Sequence, residues 1–558
     1  MKNFVLTLCI IVLSGLQAHS QDIQKQSKAP DGYVVDTRID NMGYWRQCAE
    51  WGLVPVEPYA PIPAAKYNGS KVLLKGVRAI DSPDVCTTNE PSASTQSENS
   101  IVVNPNNPDV LLNSNNSTPQ PSNGTVKGAD ALQSADKGAT WTGTVEGAGG
   151  PNSGDPAAVI NLSGRWFIGY IDNNSGQSVS YSDDNGATWT VKKVANGSMF
   201  NLLDKNHLWV DISPVSPYKN NLYNGWMSSD NIFVSRSVTN GADWSAPVNI
   251  SAATSAGSHN QGINFKCGPD GEVYAAWSVY DSWPSDEKAI GFAKSLNGGE
   301  TWETAFRALN NTKGIRTSGV SQNMRTNSFP SMAVDLSNGP YRGNIYIVWT
   351  NIGYPGINTG SGSSVYMIKS SDKGATWSAP KRVNSDSTAG KHHYLPWIAC
   401  DPVTGYISVV FYDNRNCASN EAEAWMAFST NGGATFEDLK VSDVQFTPSP
   451  IPNMASKYMG DYLAIDAYGG KAYPCWTDTR SGHCLTYVSP IDILIPTASI
   501  QNIDQSLNDT AFGNANGLMD YGETEYIGLK MQNTGTVSTS SVHVELGCDH
   551  PYITILDA

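Results

Sequence analysis

Ser370-Ser-Asp-Lys-Gly-Ala-Thr-Trp377 is the stretch whose reading decides the fold. The same pattern, Ser-x-Asp-x-Gly-x-Thr-Trp, stands intact at Ser134 to Trp141 and at Ser182 to Trp189. Looser copies run from Ser237 to Trp244, Ser295 to Trp302 and Ser429 to Phe436, with Thr239, Asn297 and Asn431 in place of the aspartate. Consecutive starts are 48, 55, 58, 75 and 59 residues apart. The octapeptide reads as a hairpin turn. Asp or Asn can accept from backbone N–H groups inside the turn, and Gly supplies the backbone freedom it needs. Each copy follows an alternating strand, such as Ser364-Val-Tyr-Met-Ile-Lys369, and its aromatic residue opens the next strand.

A second repeat lies upstream of the boxes: an apolar strand, a turn often opening with Asp, and a strand ending in aromatics. Leu208-Trp-Val-Asp211 leads to Leu222-Tyr-Asn-Gly-Trp226. Met332 to Asp335 leads to Ile345 to Trp349, Trp397 to Asp401 to Ile407 to Phe411, and Leu463 to Asp466 to Ala472 to Trp476. Less regular units start near Ile101, Ala158 and Ile263. Two strands, a boxed hairpin and a return make a four-stranded blade, and blades repeated in a ring make a β-propeller. Seven strand pairs and six boxes favour seven blades, with six as the alternative count. The seventh unit has a third strand at Cys484 to Val488 and no fourth. The strand-like Lys71-Val-Leu-Leu-Lys-Gly-Val77 on the N-terminal side could supply it and remove an open edge.

Composition agrees with an all-β reading. Of 558 residues, 51 are Gly and 31 Pro, while 16 Trp and 25 Tyr argue against disorder. Lys plus Arg number 36 against 51 Asp plus Glu, a net charge of −15 with no basic run, which disfavours nucleic acid and anionic membranes as partners. Phe4 to Leu16, behind Lys2 and ahead of Ala18-His-Ser20, reads as a signal peptide over residues 1–20, too short to span a membrane. The expected destination is secretion, to the medium or cell surface, with the periplasm as the alternative. An N-terminal extension then covers 21–69 and the propeller 70–492. From 497 to 558 the boxes stop, and alternating strands at Tyr526 to Lys530 and Val542 to Leu546 suggest part of an immunoglobulin-like β-sandwich. The chain ends on a strand-like Ile553-Thr-Ile-Leu, as a truncated module would. Nine cysteines become eight without Cys9, a number that permits disulfides in an exported protein. Cys475 with Cys484 is the best pair, ahead of Cys48 with Cys86 and Cys400 with Cys417. No Cys-x-x-Cys points to zinc.

Propeller geometry also narrows the search for a site. If the boxes turn third strands into fourth strands, the opposite face carries the loops entering first strands and leaving second strands. Asp155, Asp204 and Asp461 on those loops suit general acid or base roles. Calcium binding or plain solvation suits them equally, and no other cofactor is implied. Tyr458 and Tyr462 are candidate nucleophiles, or packing residues. Arg325, Arg415 and Arg480 suit a carboxylate or sulfate, because a guanidinium donates two parallel hydrogen bonds. Asp413 and Asp478 offer the latter two a local structural partner instead. His207 and His392 are candidate sugar contacts. His392 and His393 point to opposite faces of a strand, which disfavours a shared metal.

The octapeptide resembles the Asp box, or BNR repeat, of sialidases and related propellers, and the resemblance covers residues 70–492. It implies a propeller with the boxes on the face away from the active site. In sialidases three arginines hold the substrate carboxylate, a Tyr–Glu pair supplies the nucleophile and an Asp serves as acid/base. Sialidases also open with a Phe/Tyr-Arg-Ile-Pro motif and have six blades. This chain lacks that motif, and its nearest arginine there is Arg78 in Val77-Arg-Ala-Ile80. The expected function is sialidase-like hydrolysis of anionic glycans or glycoconjugates. The alternatives are a non-catalytic carbohydrate- or protein-binding propeller and a polysaccharide lyase using Tyr and His.

Overall fold

The computed structural model describes residues 28–68, 79–198, 200–254, 259–386, 389–493 and most of 500–533. The expected signal peptide, the strand expected at 71–77 and the tail strands expected at 542–546 and 553–556 lie outside the described residues. No described helix is long and apolar enough to cross a membrane.

Seven antiparallel sheets follow one another along the chain, each running outward from its first strand. The innermost strands are Ser94–Val103, Ala157–Ile160, Asp204–Val210, His259–Cys267, Ser331–Val334, His393–Cys400 and Ala464–Tyr468. The six boxes join the third to the fourth strands of blades one to six. In each intact box the aspartate does what the sequence suggests. Asp372 accepts from the Thr376 N–H at 2.9 Å and from its hydroxyl at 2.6 Å, while the Gly374 N–H donates to Ser370 Oγ at 2.8 Å. Those donors hold the exposed Asp184 and Asp372 carboxyls down at about 2, the Thr188 and Thr376 hydroxyls contributing most. Gly374 has φ +77°, a left-handed conformation that costs a residue with a side chain far more.

The core shows that the ring has seven members. A separate apolar cluster fills each of seven seams between neighbouring sheets. Val102 and Leu112 of blade one meet Ile160 and Trp166 of blade two, and so on around to Ile101 and Leu111 of blade one against Tyr473 and Val488 of blade seven. The aromatic ends of the second strands fill these seams, with Trp226, Trp277, Trp349 and Trp476 fully buried. Truncating one such tryptophan would cost about 3–5 kcal/mol.

The ring closes with N-terminal chain, though with a segment just after the expected one. Val85–Cys86 pairs with Leu485–Val488 as the missing fourth strand of blade seven, and Ala79–Asp81 pairs with Ile491–Ile493 beside it. A largely buried ion pair fastens the joint: Arg480 Nη2 of blade seven lies 2.7 Å from Asp84 Oδ2. Asp84 and Asp443 also accept from each other's backbone N–H groups.

Ahead of the ring, residues 36–51 cross the face opposite the boxes and include the helix Met42–Glu50, capped by the Asn41 side chain accepting from the Tyr44 N–H. In the tail, Ile500–Asn508 pairs with Tyr526–Asn533.

The expected disulfides do not form: all seven described cysteines are free thiols. Val488, not Cys484, stands opposite Cys475. Four residues of extended chain then separate the two thiols by about 13 Å, far beyond disulfide reach. Cys400 and Cys417 sit at opposite ends of one hairpin, since Cys400 pairs with Ile407 and His393 with Asp413. Cys48 is on the helix over the face, whereas Cys86 is on the closing strand.

Two outcomes follow. Arg480→Met strands Asp84 and Asp478 without their cation, and should lower unfolding stability by about 3 kcal/mol, read as a shift of the denaturant midpoint. Reductant should leave the melting temperature unchanged, and alkylation under non-reducing denaturing conditions should label all seven described cysteines.

Candidate active site

The first strands converge on the axis, and at the end away from the boxes they are irregular in a repeated way. β-bulges interrupt the first strands of blades one, three, four and six. The bulge residues Glu98, Lys205, Gly262 and Leu395 have φ of 54°, 52°, 73° and 51°, and Asp155, just before blade two, has 58°. Left-handed φ at non-glycine residues is costly and concentrates at functional sites. Here the bulges place Glu98 and Lys205 at one end of the axis, beside Asp155.

Around them stand groups from two long connections. Residues 311–330, between blades four and five, carry Arg316 and Arg325. Residues 441–463, between blades six and seven, carry Tyr458, Asp461 and Tyr462. Arg325 forks onto Asp461, with Nη2–Oδ2 2.5 Å and Nε–Oδ1 3.1 Å. Lys205 Nζ lies 3.6 Å from Glu98, 3.7 Å from Asp461 and 4.0 Å above the Tyr462 ring. It has no hydrogen-bond partner at those distances. Asn116 Nδ2 donates to both Glu98 Oε2, at 2.8 Å, and the Tyr458 hydroxyl, at 3.0 Å. Asn116 Oδ1 accepts from the Asp155 N–H at 2.7 Å. The Tyr462 hydroxyl donates to the Pro156 carbonyl.

All these groups are buried or nearly so, and their charges are set by one another. Burial, with the Asp155 and Asp461 carboxylates adding to it, pushes Glu98 well above the carboxylate range against the pull of Lys205. Burial pushes Asp155 up to about 6 and Asp204 up to about 7, the Asp40 charge adding to the latter. Burial acts against the Lys205 ammonium, yet Glu98, Asp461 and Asp155 outweigh it and hold Lys205 above its ordinary value. Burial and the Glu98 charge push the Tyr458 and Tyr462 phenols well up. The site therefore combines firm cations with carboxylic acids that hold a proton near neutrality, the condition for acid–base chemistry.

Beneath the cluster the axis forms a channel of about 110 Å³. His207, Trp209, Trp397 and Tyr462 are among its lining residues. His207 accepts the Phe265 N–H at Nδ1, and burial with nearby Lys266 pushes its pKa well below the ordinary value, keeping it neutral. Among the described residues, no group of three His, Cys, Asp or Glu side chains is placed to hold a metal ion.

Of the sequence-derived candidates, Asp155, Asp204, Asp461, Tyr458, Tyr462 and Arg325 gather at this axial end, with His207 just below. Arg415, Arg480 and His392 do not. Arg415 is held by Asp413 and Asp438, each at 2.6 Å, over the Trp425 ring. Arg480 is held by Asp478 and Asp84 over the Tyr487 ring. A clamp of these two with Arg325 is therefore corrected: an aspartate two residues upstream captures each guanidinium at little entropic cost. His392 lies off the axis, its backbone N–H donating to Asn414. Sequence reasoning missed Glu98, Asn116, Arg316 and Asp40. Only Arg316 had a signal, the 75-residue gap between boxes that marks its long connection.

Residues 81–335 match the BNR repeat-like domain family. No curated protein matches the chain. Solved structures similar to it include the α-L-arabinanase of Penicillium chrysogenum, at 14% identity and TM-score 0.38, covering 61% of this chain and 92% of that one. NanB sialidase of Streptococcus pneumoniae is 10% identical with TM-score 0.40, over 66% and 70% of the two chains. A Hadza microbial sialidase is 12% identical with TM-score 0.38, over 78% and 98%. Likeness at this level carries no argument about chemistry. The six boxes and the seven closed blades, with the family match over 81–335, make the chain a β-propeller with Asp-box (BNR) repeats, similar to the sialidase-like propellers.

Proposed function

We propose that the protein is a secreted glycoside hydrolase acting on glycans that carry a carboxylated sugar, with its site at the axial end opposite the boxes. One observation carries the reading: Arg316 forks onto a carboxylate that Arg325 approaches to 3.7 Å, beside two buried carboxyl groups, Glu98 and Asp155, whose pKa values are raised. The carboxylate so held belongs to Asp40. Guanidinium pairs suit a sugar carboxylate, and Lys205, without a hydrogen-bond partner, suits a neighbouring sugar oxygen. In this reading Asp155 donates a proton to the leaving oxygen. Glu98, which burial pushes well above the carboxylate range, also holds its proton, and the Asn116 amide, donating to both, keeps it beside Tyr458. The relatives named above as sialidases and arabinanase give the reading a precedent in fold, and it rests on the geometry of this chain.

The test is hydrolysis of fluorogenic sialosides and glucuronides by the full chain and by its Asp40→Asn variant. Failure of both proteins on both substrates sinks the hydrolase reading and favours a glycan-binding propeller. Where hydrolysis occurs, Asp155→Asn should lower kcat about 10²- to 10⁴-fold. Arg316→Lys should lower kcat/KM roughly tenfold to a hundredfold, because an ammonium cannot reproduce its two-pronged grip on a carboxylate. An acid with a pKa of about 6 is protonated below that pH, so the rate should fall as pH rises through about 6, and Asp155→Asn should abolish that limb.

A further inference from the structure

Resting on the site proposed above, we infer that residues 36–51 are an intramolecular ligand of the axial site, with the Asp40 carboxylate in the place of the substrate's, so that the intact chain is self-blocked. Arg316 grips Asp40 in a two-pronged pair, Nη2–Oδ1 2.5 Å and Nη1–Oδ2 2.8 Å. Arg325 adds a bond from Nη2 to the Asp40 carbonyl at 2.9 Å and a charge contact with the carboxylate at 3.7 Å. Gln261 Nε2 donates to Asp40 Oδ2 at 2.9 Å, and the Asp40 N–H donates to Asp204 at 2.8 Å. Asp40 is thus fully committed, and only 1% exposed.

Asp40 is what pairs Arg316: Asp461 serves Arg325, Lys205 lies near Glu98 and Asp461, and among the described residues Asp40 is the carboxylate in ion-pair contact with Arg316. Without Asp40 that guanidinium would lose its partner in a site largely shielded from water, a cost that an entering carboxylate would relieve.

The strap is held by contacts a displaced segment would surrender together. Arg38 pairs with Asp230 at 2.7 Å, Trp283 Nε1 donates to Thr37 at 2.8 Å, Asn41 Nδ2 donates to the Ser153 carbonyl at 2.8 Å, and Met42 packs into the seam of blades six and seven. Beyond it, residues 58–64 form no helix or strand and are mostly exposed, with Tyr59 79% accessible. One cut there would free residues up to 57 while leaving the closing strands 79–86 attached to the ring. The arrangement points to release of the strap, by cleavage in 58–64 or by a competing anionic glycan.

The test compares three proteins by calorimetry with N-acetylneuraminate and glucuronate as probes: the full chain, its Asp40→Asn variant, and the full chain nicked once at a protease site placed within 58–64. The intact chain should bind neither sugar acid measurably. The Asp40→Asn and nicked proteins should bind at least one of them, at least tenfold more tightly than the intact chain. A synthetic peptide of residues 36–51 should displace the sugar acid from the nicked protein, and the same peptide with the Asp40→Asn substitution should do so at least tenfold less well. If the variant and the nicked protein, both still folded by circular dichroism, bind neither sugar acid, the strap is only structural and the inference is overturned. Equal competition by the two peptides, or equal binding by the intact chain, overturns it as well. Because the readout is binding, a nicked protein that takes up the sugar acids and hydrolyses no glycoside refutes the hydrolase reading alone.

Discussion

A sheet with apolar side chains on both faces is stable only when both faces are covered, and a ring of sheets covers them all only if the last meets the first. Everything else in this molecule depends on that closure. Six blades carry their own four strands. The seventh is completed by Val85–Cys86, and the seam between blades seven and one then fills with Ile101, Leu111, Tyr473 and Val488 like any other. Arg480 and Asp84 bridge the joint with charges buried where they must be paired, which makes the closure strict about which segment can provide it.

Closure also crowds seven first strands around one axis. Toward the box end the axial channel is lined mainly by apolar side chains such as Val103, Val210 and Val334. At the other end the strands bulge, and the bulges place Glu98 and Lys205 where regular alternation would have aimed other residues. Several ionisable groups within a few ångströms, shielded from water, cannot all be charged. The cations stay charged because each has a carboxylate beside it. The carboxyls in excess keep their protons, as Asp155 and Asp204 do up to about 6 and 7. Proton-holding acids beside fixed cations thus follow from crowding, with Asp155 near the range where catalysis would use it.

The parts of this architecture legible in the sequence are the local ones. A box makes its hydrogen bonds within eight residues, so six copies declare six hairpins, and the tryptophans ending the second strands announce the seams they fill. The site was legible only by position: loops on one face gave Asp155, Asp461, Arg325 and the two tyrosines. Asp-Asn-Arg415 and Asp-Thr-Arg480 looked alike and do behave alike, but each is a closed local pair rather than half of a clamp. Glu98 was hidden because a bulge, invisible in a sequence of Ser, Asn and Gln, decides where it points. Asp40 was hidden because its partners Arg316 and Arg325 lie 276 and 285 residues away. The even cysteine number misled because compatibility with disulfides says nothing of register.

The N-terminal chain performs two tasks that could have conflicted. It lays Asp40 into the axial arginines, and some forty residues later it supplies the strand that closes the ring. Were these one continuous element, removing the first would open the second. They are instead separated by the exposed, proline-rich stretch Pro58-Tyr-Ala-Pro-Ile-Pro63, and the chain rejoins the ring at Lys66–Tyr67, paired with Val444–Gln445, before it reaches the closing strands. The pairing at 66–67 anchors the ring side of the linker, so tension or a break in 58–64 acts on the strap and not on the joint. Fold integrity and access to the site are in this way uncoupled within a single segment, which is what a removable occupant of a permanent ring requires.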